Sequence, residues 1–121
     1  MLMEWYEVKA AEQLETPGLL VYPERIEANI EAAIALAGGP ERLQPHVKTH
    51  KLPQVVAMHR ARGIDRFKCA TIAEAEMLAR AGAREILLAH QPVGPRIGRL
   101  RALARAFPHP QQFATLADDV E

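Results

Sequence analysis

An α/β fold, built as about the first three to four βα units of an incomplete (β/α)8 barrel, is what this 121-residue sequence predicts. Three observations carry that reading. Short apolar runs alternate with helical patterns at about 20 to 25 residues per unit, which implies parallel strands with helices packed outside. No GxGxxG and no GxxxxGKS/T follows any of those runs, which argues against a nucleotide-binding sheet. A closed barrel takes about 250 residues, so four strands cannot complete one. The sequence therefore reads as part of a longer protein, or as one that needs a partner over its open sheet edge.

The elements follow in order. Residues 1–15 form an N-terminal lead-in, and residues 16–121 the partial barrel domain. Thr16-Pro17-Gly18 is a turn signal before the apolar run Leu19-Leu20-Val21-Tyr22. From Glu24 to Ala37 the residues Ile26, Ile30, Ile34 and Ala37 recur at helical spacing, and Gly38-Gly39-Pro40 ends that helix. Leu43 to Lys48 reads as a short strand and Pro53 to Ala61 as a helix closed by Gly63. Arg66 to Thr71 is the next strand, and Ala73 to Ala81 a helix closed by Gly82, with Glu74 and Glu76 near its positive end. Glu85 to His90 is a third strand. The following helix starts at Gly94-Pro95, turns Ile97, Leu100, Leu103 and Ala104 to its apolar side and ends before Pro108. Gln112 to Leu116 reads as a fourth strand and Ala117-Asp118-Asp119 as a new helix start.

Composition narrows the function. Fifteen basic and fifteen acidic residues cancel, so no electrostatic footprint for nucleic acid or anionic lipid is expected. No apolar run approaches the roughly 18 to 20 residues that span a bilayer. Met1 to Glu15 mixes Glu4, Glu7, Lys9 and Glu12 among its apolar residues and lacks a secretory core. The single cysteine, Cys69, permits no internal disulfide and agrees with a reducing, cytoplasmic setting. It reads as a small buried hydrophobe with no base beside it.

The chemistry concentrates in Pro45-His46-Val47-Lys48-Thr49-His50-Lys51. On a strand, His46, Lys48 and His50 share one face while Val47 and Thr49 share the other. Inward-facing polar residues at the C-terminal ends of barrel strands are where catalytic groups sit. There, a partly desolvated lysine between two imidazoles has its ammonium form disfavoured, and the neutral amine is what forms a Schiff base. On charge alone a solvated Lys/His loop is the simpler explanation of the stretch, since exposed lysines far outnumber catalytic ones. His46 and His50 at i, i+4 also suit metal chelation on a helix, although Pro45 and the lack of a nearby Asp, Glu or Cys weaken that alternative. Thr71 and His90 close predicted strands and are pocket-lining candidates, with Gln91 a weaker one. Arg96, Arg99, Arg101 and Arg105 read as a solvated helix face, and Trp5-Tyr6 as a possible anchor for a subunit or domain contact.

The string Leu43-Gln44-Pro45-His46-Val47-Lys48-Thr49-His50-Lys51 resembles the PH-x-K-T-H-K motif of the D-threonine aldolase and D-serine dehydratase family. These are fold type III pyridoxal-phosphate (PLP) enzymes with an alanine racemase-like, TIM-like barrel. Thr16-Pro17-Gly18-Leu19-Leu20-Val21 with Asn29-Ile30 is similar to that family's opening. Cys69-Ala70-Thr71 with Glu74-Ala75-Glu76 is similar to its second strand and helix, and Ile86-Leu87-Leu88-Ala89 with Pro92-Val93-Gly94 to its third. The matches run in order over residues 16–96.

The resemblance implies a lyase of D-amino acid metabolism acting on a small-molecule D-β-hydroxy amino acid. PLP is carried as a Schiff base on Lys48, with His46, His50 and Thr71 beside the cofactor. It further implies a homodimer when full length, and a divalent metal, Zn or Mn, held by residues outside this chain. On this basis Leu19–Tyr22 is a strand that belongs with a C-terminal β-domain, and Leu43–Lys48 is the first barrel strand. An amino-acid racemase or a non-catalytic PLP-binding protein on the same barrel, an inactive truncated fragment, and a cofactor-free Schiff-base aldolase are the alternatives. Gln44 departs from the family's common Arg on the Lys48 face, and Tyr22 from a common Asp. The phosphate-holding strands and the metal site lie beyond Glu121, so this chain alone is expected to be inactive.

Overall fold

Proline sets the helix starts. In the computed structural model, which describes residues 4–118, three of the four α-helices carry Pro at their first position. The missing N–H is one that no helix start can bond internally, and the fixed φ suits the first turn. Helix α1 is Pro23–Ala37, α2 is Pro53–Arg60 and α4 is Pro95–Ala106. Helix α3, Ile72–Arg80, starts differently, with the Thr71 hydroxyl accepting from Glu74 N. Gly38 ends α1 at φ 79°, a left-handed conformation that a Cβ disfavours, and the amides of Gly38 and Gly39 both close onto Ile34 O.

Strands β1 (Arg66–Cys69), β2 (Glu85–Leu88) and β3 (Gln112–Thr115) form a parallel sheet in sequential order. The register pairs Phe67 with Ile86 and Ile86 with Phe113, then Cys69 with Leu88 and Leu88 with Thr115. Alternation sorts the side chains. Phe67, Cys69, Ile86 and Leu88 are buried in one cluster with Ile30, Val56, Ala75, Leu78, Ala79 and Leu103, so all four helices share the core under that face. The opposite face carries Lys68, Leu87 and Ala114 in register, half-buried or exposed. Across β1 and β2, Arg66 and Glu85 are direct partners joined by an ion pair at 2.8 Å.

The α/β expectation and the helix positions hold, and the three later strands stop one or two residues short of their predicted ends. Three expectations do not. Leu43–Lys48 is not a strand: it makes one parallel bridge, His46 to Lys68, with Lys68 N donating to Pro45 O at 2.9 Å. Pro45 has no ladder donor, and the Lys48 amide is taken by the His46 imidazole, so pairing stops after one residue. Residues 47–49 instead form a 3₁₀ turn, which removes the strict alternation expected of His46, Lys48 and His50. Residues 19–22 form no strand either; among the described residues nothing pairs with them, and Leu19 and Leu20 are exposed. Ala117 and Asp118 are not helical, and Asp119 lies outside the described residues. Three parallel strands and a bridge do not themselves make a barrel.

The aromatic lead-in finds a partner within the chain. Trp5 packs edge-on against Tyr22, Arg25 lies over the indole ring at 4.1 Å, and the Tyr22 hydroxyl donates to Tyr6 O at 2.7 Å. Trp5 and Tyr6 thus hold the lead-in against the start of α1, although both remain more than half exposed.

Candidate active site

The turn from Val47 to Lys51 is made almost entirely by the residues flanking Lys48. Val47 is fully buried and pins the turn into the core. Both His50 N and Lys51 N donate to Val47 O, at 3.2 and 2.8 Å, and Lys51 closes the turn at φ 53°. A left-handed backbone is uncommon for a residue with a Cβ and persists where its surroundings hold it. Lys51 Nζ does have such an anchor, Glu74 Oε1 at 2.8 Å.

The two imidazoles act on the backbone. His46 Nδ1 accepts from Lys48 N at 3.2 Å, and His50 Nδ1 accepts from Leu52 N at 3.0 Å, just before α2. An Nδ1 that accepts leaves the ring proton on Nε2 in the neutral form. Both groups have lowered pKa values. For His46 burial comes first, then the positive charges of Lys48 and Lys68; for His50 burial comes first, then His59. Glu74 opposes the shift at both. Near neutral pH both imidazoles are therefore uncharged, on either side of Lys48 in sequence, and among the described residues neither Nε2–H has a partner.

Lys48 itself is exposed, and among the described residues no carboxylate lies within 4 Å of its ammonium. It follows a bridge to Lys68, one residue before β1 ends at Cys69, so its backbone leaves the sheet on the C-terminal side. That is where ligands gather in parallel α/β sheets.

Thr71 lies on the same side of the sheet but in a different setting. With Ala70, His90, Gln91, Arg96 and Arg99 it lines a cleft of about 470 Å³ beyond the ends of β1 and β2, and Lys48, His46 and His50 are not among the cleft's lining residues. The Thr71 hydroxyl accepts from Glu74 N at 3.1 Å and keeps its own proton free to donate. His90 is exposed, and Gln91 Oε1 accepts from Asp118 N. Gln44 was expected on the Lys48 face; its amide donates to Phe67 O at 3.4 Å instead. Cys69 behaves as read from sequence: it is fully buried, and desolvation followed by the Glu74 charge pushes its thiol up to about 12. No group of three His, Cys, Asp or Glu side chains among the described residues is arranged to hold a metal.

Glu74 was read only as a helix N-terminal charge, and it does more than that. It is 4% exposed; besides Lys51 it accepts from Ala70 N through Oε2 at 2.7 Å. The spacing Thr71-x-x-Glu74 is a capping-box pattern and was legible. The contact with Lys51, 23 residues earlier in the chain, had no local signal.

Tested against PLP, these residues suit one end of the cofactor. A primary amine with no carboxylate partner, set between neutral imidazoles at strand ends, fits attachment of an aldehyde. The adjoining amides of Lys48, His50 and Lys51 are already bonded, to His46 Nδ1 and Val47 O, and so do not offer themselves to the phosphate.

The alanine racemase N-terminal domain family matches residues 21–108. A D-threonine aldolase from Arthrobacter sp. is 33% identical over 95 residues, which cover 77% of this chain and 25% of that protein. A D-threo-3-hydroxyaspartate dehydratase from Delftia sp. (strain HT23) is 33% identical over 93 residues, covering 76% of this chain and 24% of its own length. The crystal structure of a D-threonine aldolase from Filomicrobium marinum superposes with a TM-score of 0.73 at 28% identity, over 87% of this chain and 28% of that one. The chain thus spans about a quarter of the length of these relatives.

Proposed function

The chain belongs to the alanine racemase N-terminal domain family, and from that premise we propose that it is the lysine-bearing N-terminal part of a PLP-dependent lyase acting on D-β-hydroxy amino acids. The carrying observation is the unpaired Lys48 amine, presented on a turn at the C-terminal side of a parallel sheet between two neutral imidazoles. The kinship with an aldolase and a dehydratase supports the lyase class. In this reading the three strands and the bridge are a sector of a (β/α)8 barrel, whose remaining strands supply the phosphate site.

Lys48 Nζ would hold the cofactor covalently. When bound, PLP supplies an electron sink for negative charge that develops at the substrate's α-carbon. His46 and His50 offer Nε2–H donors on either side, and Thr71 a hydroxyl proton at the end of β1. In a dehydratase, the free Lys48 Nζ would serve as the base for the Cα proton while the β-hydroxyl leaves. In an aldolase the Cα–Cβ bond would break with loss of the β-hydroxyl proton, and the same amine, in its protonated form, would be the donor that returns a proton to Cα. The divalent metal of this proposal would be bound outside this chain and would act at the substrate's β-hydroxyl.

The test uses the full-length protein. Reconstitution with PLP is expected to give a lysine-bound absorption band that Lys48→Ala abolishes, and D-threonine or D-serine to yield aldehyde or ammonia. An unchanged spectrum in Lys48→Ala overturns the cofactor assignment. The family's own description keeps a racemase as the second reading: racemisation with neither aldehyde nor ammonia released would favour it.

A further inference from the structure

We infer that Glu74, acting through Lys51, is a positioning residue that sets where Lys48 presents its amine. This rests on the reading of Lys48 as the cofactor lysine. Four contacts carry it. Glu74 is the buried charged side chain of the described core, and its two oxygens reach different segments: Oε1 binds Lys51 Nζ at 2.8 Å, and Oε2 accepts from Ala70 N at 2.7 Å. Its own amide is fixed to Thr71 Oγ1 at 3.1 Å. Lys51 in turn closes the Lys48 turn, bonding Val47 O at 2.8 Å from a left-handed backbone. The carboxylate therefore ties the C-terminal end of that turn to the end of β1, while Val47 ties the N-terminal end to the core. Lys48 sits between these two anchors.

The charge state suits the task. Desolvation by itself would raise the Glu74 pKa, but the hydrogen bonds from Lys51 and Ala70 N and the Lys51 charge outweigh it and hold the group below its ordinary value. An ionised carboxylate can accept from both partners at once. The Lys51 side chain is 61% exposed, so core packing does not account for its orientation, and the Glu74 contact does.

Glu74→Gln is the discriminating substitution. The amide oxygen still accepts from Ala70 N, but the negative charge that holds Lys51 is gone. In the full-length protein reconstituted with PLP, we expect condensation with Lys48 to slow and cofactor retention to weaken by on the order of tenfold, as expected when a reacting group is displaced by a fraction of its own reach. Amide hydrogen exchange at Lys51 in the cofactor-free protein should accelerate in parallel, a readout independent of turnover. Lys51→Met should reproduce both effects if Glu74→Gln fails to fold, and Lys51→Arg, which keeps the ion pair, should leave retention and exchange at their wild-type values. Leu103→Ala, a core truncation in α4, controls for plain destabilisation: it should lower Tm and leave cofactor retention unchanged. A Glu74→Gln protein that keeps wild-type retention and wild-type exchange at Lys51 overturns the positioning role while the cofactor assignment stands. A wild-type protein whose Lys48 takes up no PLP overturns both.

Discussion

His46 and His50 each give Nδ1 to a backbone amide, and burial lowers the pKa of both. A folded-state pKa below the ordinary value of 6.5 means that the folded protein binds fewer protons than the unfolded chain as pH falls through that range. The contribution of these groups is complete above 6.5 and is lost as pH falls through their folded values. Glu74, also depressed, has the same sign in a lower window: its contribution is present above its ordinary pKa of 4.5 and is lost as pH drops through its folded value. His50→Asn separates the two. Its Oδ1 can take the Leu52 amide but does not titrate, so Tm should depend less on pH just below 6.5 while the more acidic loss attributed to Glu74 persists. Thermal melts across that range check it; an unaltered pH dependence would remove His50 from the account. The sequence marked these histidines as interesting through their spacing about Lys48. It was silent on their bonds to the backbone, because a ring that captures the amide two residues ahead replaces the very strand from which the spacing argument was drawn.

At the scale of elements, what was legible is what local chemistry decides. Pro53 and Pro95 at the starts of α2 and α4 and Gly38 after α1 are local signals that marked elements which formed, whereas Thr71, read as a strand end, is the cap of α3. Thr71→Ala removes a cap acceptor and should cost about 1 kcal/mol, seen as a lower urea midpoint. The Leu43–Lys48 segment shows the limit. Its apolar and polar pattern fitted a strand, yet Pro45 and the His46 side chain together leave one bridge. The turn that replaces it depends on a tertiary contact: Val47, with no solvent exposure, joins the core cluster that includes Phe67 of β1. Val47→Ala should therefore cost about 1 to 3 kcal/mol, two lost methyl groups plus the space they leave. The same change should speed hydrogen exchange at His50 and Lys51, whose amides both end on Val47 O. Loss of stability without faster exchange at those two amides would show that the turn holds itself.

At the scale of the molecule, the sheet has two unlike faces. One is closed by four helices; the other presents Lys68, Leu87 and Ala114 side by side. In the proposed barrel that second face would turn inward; in this structure it is half-buried or exposed, and periodicity alone did not distinguish it from a solvated face. Charge offers this chain little protection, because its 15 basic and 15 acidic residues cancel at pH 7. Proteins near zero net charge associate most readily, and exposed apolar surface gives association somewhere to happen. The 121-residue chain should therefore sediment as larger species at neutral pH than at strongly alkaline pH, where net negative charge builds up, at one ionic strength. Leu87→Glu locates the surface responsible. The new carboxylate would stand directly across from Lys68 on the neighbouring strand, an opposite-charge pair on the open face with no core contact removed. If the open face drives association, this variant stays small at neutral pH. If it sediments as the parent does, the contact runs instead through the exposed Leu19, Leu20 and Val21, and the sheet face is not the adhesive surface.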